Sequence, residues 1–248
     1  MPHIAFIISF MENGLSHAWD LDITQARDLQ KKLSHEVIRY NPGLHPRLIA
    51  GIDVSISRFS KVGRAAVVVL SYSSLELIEV SVLEGNINFP YIPGLLSFRE
   101  APLIIEAWQK LKTHPDLLMV DGQGIAHPRR LGIASHLGLL LNMPSIGCAK
   151  SRLTGDHTPL PNASGSCSWL TDGEEVIGAV VRTKRSVTPL YISIGHKIDL
   201  ASSVAWVLNC CCGFRLPQPT RLAHMAARGS LIHPEYKHRD KSIKIHQE

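Results

Sequence analysis

Three acidic residues stand where an ordinary core would not place them. Asp53 interrupts Ile49-Ala50-Gly51-Ile52-Asp53-Val54-Ser55, whose other residues suit a central strand. A carboxylate there is costly unless a cation or hydrogen bonds replace the lost water; the alternative is the wet face of an edge strand. Asp121 closes the apolar run Leu117-Leu118-Met119-Val120 and meets Gly122-Gln123-Gly124. It therefore falls at the carboxyl end of a strand, where open α/β sheets bind their ligands. An Asp-Gly turn or a helix N-cap is the structural alternative. Glu100 follows Ser97-Phe98-Arg99, the spacing of a capping box in which its carboxylate reaches back to the Ser97 backbone. If Glu100 instead faces Asp53 and Asp121, the three carboxylates form a hard oxygen site suited to Mg²⁺ or Mn²⁺ rather than zinc. Such a cluster activates water and stabilises the leaving oxygen in phosphodiester hydrolysis.

The elements that must carry these residues follow from periodicity. Ile23, Ala26, Leu29, Leu33, Val37 and Ile38 recur at helical spacing between Asp20 and Tyr40, with Asn41-Pro42-Gly43 as the stop. Three β-type runs follow, Leu48 to Ser55, Ala65 to Tyr72 and Leu75 to Leu83, joined by short turns that predict an antiparallel meander. The period then changes. A helix from Ser97 to Lys112, a strand from Leu117 to Val120, a helix from Leu131 to Asn142 and a strand from Ser145 to Cys148 alternate, which predicts parallel strands. Val176 to Arg182 and Leu190 to Ser193 read as a late strand pair, Leu200 to Cys211 and Thr220 to Ala227 as helices. The expected architecture is a single α/β domain over residues 20–227 with a mixed sheet, flanking helices and the element order of a ribonuclease H-like fold. Residues 1–19 read as an N-terminal extension and 228–248 as a basic tail.

Composition narrows the class. A chain of 248 residues with 45% apolar and 19% charged residues can bury a core, and a formal charge of +5 suits an anionic partner such as a polynucleotide. Five cysteines, three of them in the run Cys210-Cys211-Cys212, argue against a secreted disulfide framework, and the absence of Cys-x-x-Cys argues against a thiolate zinc site. The apolar start from Ile4 to Met11 has no basic residue before it and Glu12 after it, so no export signal is read, and no apolar stretch reaches membrane-spanning length. A reducing, cytoplasmic location without membrane contact is expected.

Six segments are specific enough to resemble a known family. They are Gly51-Ile52-Asp53-Val54-Ser55; Pro90 through Glu100; Asp121 through Arg130; Gly147-Cys148-Ala149-Lys150-Ser151; Pro189 through His196; and Arg215 through Arg221. In order, from about Asp20 to Ala227, they resemble the motifs of the endonuclease V family. The resemblance implies a ribonuclease H-like, metal-dependent enzyme that recognises deoxyinosine, the product of adenine deamination. It nicks the strand at the second phosphodiester bond on the 3′ side and leaves 3′-hydroxyl and 5′-phosphate ends. By motif position, Asp53, Glu100 and Asp121 would hold Mg²⁺, with Mn²⁺ able to substitute, and His224 would complete the active site. Lys150 would stabilise the scissile phosphate, and His127 would assist.

Tyr91-Ile92-Pro93 resembles the family's wedge, which enters the duplex where the damaged base has been turned out. The base would enter a pocket built largely from backbone near Gly94, Leu96, Gly122, Gly132, Gly147 and Leu153. Arg99, Arg129, Arg130, Arg152 and Arg182 are available for phosphate contacts. The expected partner is damaged DNA containing deoxyinosine, with inosine in RNA as a second substrate, and the protein is expected to act as a monomer. The Gln-Gly-Ile-Ala-His-Pro-Arg-Arg wording favours DNA repair. The sequence departs from the pattern at Ile56, where many relatives carry an aromatic residue. Two rival readings are another ribonuclease H-like nuclease, which needs no wedge, and a non-catalytic binding module whose acidic site serves stability.

Overall fold

The computed structural model describes residues 15–56, 61–72 and 74–231. The readings of the apolar start and of the tail beyond residue 231 lie outside the described residues. In chain order the elements are α1 (Ile23–Ser34), β1 (Leu48–Ile56), β2 (Val62–Ser71), β3 (Leu77–Asn86), α2 (Leu96–Trp108), β4 (Leu117–Val120), α3 (Ile133–Leu140), β5 (Ser145–Ala149), β6 (Cys167–Asp172), β7 (Glu175–Val181), β8 (Leu190–His196), α4 (Leu200–Asn209) and α5 (Gln218–Ala227). The strands form one sheet in the order β3-β2-β1-β4-β5-β8-β7-β6. The first three are an antiparallel meander, β1, β4 and β5 run parallel, and β8, β7 and β6 return antiparallel. This is the mixed sheet with flanking helices of the ribonuclease H-like order.

Register assigns the faces. Gly51 pairs with Val68 and Asp53 with Ala66, and directly opposed residues share a face. Ala66, Val68 and Leu70 pack against Leu222, Ala223, Ala226 and Ala227 of α5, so Gly51 and Asp53 look toward α5. The alternate residues Ala50 and Ile52 pack with α2 and α3 on the other face. Because β1 lies between β2 and β4, the edge-strand alternative for Asp53 is overturned.

Element ends differ from periodicity where side chains capture the backbone. Asp22 and Gln25 form a capping box, so α1 begins at Ile23 rather than Asp20. After Ser34 the chain is taken over by β8: Ile38 N–H donates to His196 Nδ1 at 3.2 Å, and Lys197 N–H donates to the Ile38 carbonyl. Similarly, Lys112 and Thr113 give their N–H groups to the Glu79 carboxylate at 2.9 and 2.8 Å, which ends α2 before Lys112. The capping box expected at Ser97-Phe98-Arg99-Glu100 does not form. α2 starts one residue earlier with Leu95 at the N-cap and no side-chain cap bond, because buried Leu95 and Phe98 pack with Ala26 of α1. β6 was not anticipated: it is an edge strand whose Cys-Ser-Trp-Leu-Thr-Asp sequence buries only Leu170.

Candidate active site

Ile52 pairs with Val120 in the parallel β1–β4 ladder, so the next residues on each strand, Asp53 and Asp121, stand side by side where β4 ends. The Asp121 N–H extends the ladder by donating to the Ile52 carbonyl at 2.9 Å. Asp121 is not a helix cap, since α3 is capped by Gly132. Lys150 follows directly after β5, the neighbouring parallel strand, and its ammonium forms an ion pair with Asp121 Oδ2. Arg215 holds the Lys150 carbonyl from the loop before α5, at 2.7 Å.

The fourth side chain arrives from the opposite end of the chain. α5 sits so close to β1 that a Cβ on Gly51 would lie 2.0 Å from the Pro219 carbonyl oxygen. Gly51 and Asp53 share a face, and His224 lies about one and a half helical turns beyond Pro219. His224 Nδ1 consequently meets Asp53 Oδ2 at 2.7 Å and lies 3.3 Å from Lys150 Nζ. The Asp53 Oδ1 accepts from Val54 N–H at 2.9 Å.

Among the described residues, Asp53, Asp121 and His224 form the group able to hold a metal ion, with one ligand atom of each within 4.8 Å of the others. A histidine thus stands in the tight group where Glu100 was expected beside the two aspartates. Glu100 remains in the field of the site: burial, then the charges of Asp53 and Asp121, push its carboxyl up to about 8, against the opposing pull of Arg99. Burial and the Asp53 charge also push Asp121 upward, while Lys150 pulls it down. Such crowding of acids favours a divalent cation, as does the donor set of carboxylate oxygens with one imidazole. Asp121 Oδ2 is buried, and the Lys150 ammonium is the positive group that meets it among the described residues.

The other expected site residues fall into two groups. Gly122, Gly132 and Gly147 lie together: a Cβ on Gly147 would be 2.4 Å from Gly124 N, and one on Gly132 would be 2.2 Å from the Gln123 carbonyl oxygen. Their bare backbones let the turn after β4 fold over β5. Leu153 stands outside this cluster and is exposed. Gly94 instead ends the loop bearing Tyr91-Ile92-Pro93, and Leu96 opens α2 just after it. Tyr91 is 71% exposed, whereas Ile92 packs against Leu95 and Phe98, so Tyr91 projects and Ile92 is the root.

His127 is not part of the acidic group. It is buried, its Nε2–H donates to the Gly94 carbonyl at 3.0 Å, and its Nδ1 accepts from the Arg129 N–H at 3.1 Å. Burial and the neighbouring Arg129 lower its pKa to about 4, which keeps it neutral. The five arginines are all engaged within the fold. Arg99 binds the Phe89 carbonyl, Arg129 binds Gln30 and the Gly94 carbonyl, and Arg130 pairs with Asp172 and Glu175. Arg152 pairs with Asp156, and Arg182 binds the Pro161 and Val187 carbonyls. Sequence reasoning missed Gln30, a polar side chain on the buried Ala26–Gln30–Leu33 stripe of α1. Its signal was that one break in an apolar spacing.

Two aspartates on neighbouring strands, a histidine and a lysine on a ribonuclease H-like sheet define a nuclease, a hydrolase of phosphodiester bonds. Comparison with known proteins agrees. The family model for Endonuclease V matches residues 28–225, and the chain belongs to that family. An Endonuclease V from Dehalococcoides mccartyi is 55% identical over 211 residues, covering 85% of this chain and 95% of its own. The crystal structure of Endonuclease V from Streptomyces avermitilis superposes with a TM-score of 0.80 at 37% identity, covering 86% of this chain and 94% of that one. Endonuclease V from Ciona intestinalis, crystallised with a 24mer DNA containing an inosine followed by a ribo-adenosine, superposes with a TM-score of 0.73 at 26% identity, covering 84% of this chain and 96% of that one. No helix among the described residues is long and apolar enough to cross a membrane.

Proposed function

We propose that this protein is a Mg²⁺-dependent DNA repair endonuclease acting as a monomer. It nicks a strand at the second phosphodiester bond 3′ to deoxyinosine and leaves 3′-hydroxyl and 5′-phosphate ends. The observation that carries the reading is the convergence of Asp53, Asp121 and His224 with Lys150 from β1, β4, α5 and the end of β5. The inosine-containing DNA bound by the Ciona relative supports the substrate.

Asp53, Asp121 and His224 would hold the cation, with Glu100 beside them, and Mn²⁺ would substitute for Mg²⁺. When bound, the cation supplies Lewis-acid stabilisation of negative charge at the phosphate. Lys150 adds a fixed positive charge beside Asp121, aimed at the same phosphate. His224 fixes the Asp53 carboxylate through its 2.7 Å contact. Tyr91 and Pro93 enter the space left by the turned-out base, whose edge is read by backbone near Gly94, Leu96, Gly122, Gly132, Gly147 and Leu153. In this role His127 acts on the position of the Gly94 peptide.

The test is a nicking assay with Mg²⁺ on duplexes that differ only in one deoxyinosine, with matched RNA strands carrying inosine as the second substrate. The inosine duplex is cut and the control spared, and Asp53→Ala or Asp121→Ala abolishes cutting. Equal cutting of both duplexes would sink the substrate assignment; full activity in either variant would sink the site.

A further inference from the structure

The loop from Phe89 to Gly94 is clamped at both ends. At its start, Arg99 Nη1 donates to the Phe89 carbonyl at 2.6 Å. At its end, one carbonyl, that of Gly94, accepts from Gln30 Nε2 at 3.0 Å, His127 Nε2 at 3.0 Å and Arg129 Nη2 at 2.8 Å. Gly94 itself has φ +77°, a conformation that only glycine adopts freely. The exposed Tyr91 is thus carried on a short span whose two end peptides are held.

Gln30 is the central member of the second clamp. It is 1% exposed on the buried face of α1, where a polar side chain is costly unless fully bonded. Its amide nitrogen also donates to the Leu131 carbonyl at 2.9 Å, and its amide oxygen accepts from Arg129 Nε at 2.5 Å. Leu131 precedes Gly132. One side chain therefore spans the gap between the Tyr91 loop and the glycine-lined turn, and orients the arginine that also binds Gly94.

We infer that Gln30 is a positioning residue for substrate recognition: it sets the separation of the Gly94 and Leu131–Gly132 backbones and holds the Tyr91 loop ready to enter an inosine-containing duplex. The inference rests on the recognition role proposed for Tyr91 and Pro93. Gln30 touches neither the substrate nor the acidic group. Its removal changes how often the loop is in its receptive conformation, so the effect falls on apparent affinity and not on the chemical step.

The experiment measures KM and kcat for Mg²⁺-dependent nicking of the deoxyinosine duplex by the full chain. In Gln30→Leu, KM rises about tenfold, as expected if the receptive fraction falls to about a tenth, while kcat at saturation stays within about twofold. Gln30→Glu keeps the bond to Arg129 but cannot donate to either carbonyl, and gives the same KM rise. On a Tyr91→Ala background, Gln30→Leu gives a clearly smaller rise, because the loop it positions has lost its most exposed contact residue. An unchanged KM in Gln30→Leu overturns the inference, as does the same rise on both backgrounds, which marks a residue serving only the fold. If Gln30→Leu fails to fold, Gln30→Asn enters the same cycle: it retains the amide but is too short to reach both carbonyls. Wild-type protein without preference for the inosine duplex refutes the proposed function; wild-type preference with an unaltered Gln30→Leu refutes this inference alone.

Discussion

Replacing Gly51 by alanine tests whether the seat of α5 sets the active site. The added Cβ would stand 2.0 Å from the Pro219 oxygen and 2.2 Å from its carbonyl carbon, against 3.4 Å for ordinary contact. Both are backbone atoms, so no side chain can swing away, and α5 must retreat by about 1.4 Å. His224 rides on that helix and loses its 2.7 Å contact with Asp53. Overpacking of this kind costs about 1–3 kcal/mol, or a Tm lower by roughly 2–12 °C for a domain of this size. A displacement of about 1 Å in an active site costs on the order of 100-fold in rate. The expected result is a folded protein by circular dichroism, a lowered Tm, and kcat for inosine-duplex nicking down by about 100-fold, with KM much less affected because the Tyr91 loop is anchored elsewhere. A kcat within about twofold of wild type at unchanged Tm would refute the argument.

Other outcomes follow from the same geometry. Lys150→Ala lowers kcat by about 100- to 1000-fold if the ammonium acts on the phosphate, measured in single-turnover nicking. A chelator stops nicking, and Mg²⁺ at 100 times its Kd raises the stability of the chelated protein by about 2.7 kcal/mol, read as a Tm shift that Asp53→Ala abolishes. His196 is buried and its Nδ1 accepts the Ile38 N–H, and burial lowers its pKa to about 4. The unfolded chain therefore binds more protons below about pH 6.5, so the contribution is present above that pH and is lost as pH falls toward 4. Between pH 7 and 5 the stability advantage of wild type over His196→Asn shrinks by about 2 kcal/mol, measured by urea titration; a constant difference would show that His196 is not held neutral.

The fold was legible where pattern and burial agree. β4 occupies the predicted residues, and β1 exceeds its prediction by Ile56 alone, because mostly apolar strands in the middle of a sheet leave few alternatives. The two aspartates were legible for the complementary reason: a charge inside such a run, as Asp53, or closing it, as Asp121, demands an explanation. Gln30 was illegible in its role because its partners, Gly94 and Leu131, are backbone carbonyls 64 and 101 residues away. The arginines misled in the opposite sense. Arg130 looks free in sequence, yet its guanidinium is paired with Asp172 and Glu175 across the β6–β7 turn, a contact that depended on the unforeseen edge strand. Glu100 matched a local motif that failed because packing of Leu95 and Phe98 moved the start of its helix.

The contact between Asp53 and His224 closes a separation of 171 residues. At ordinary rates of translation, roughly 10–30 s pass between synthesis of the two. During that interval the growing chain can pair its early strands and expose Asp53, but it has no α5 to bring the histidine. If His224 completes the centre as proposed, an enzyme assembled in this order carries no complete centre while it is still being made.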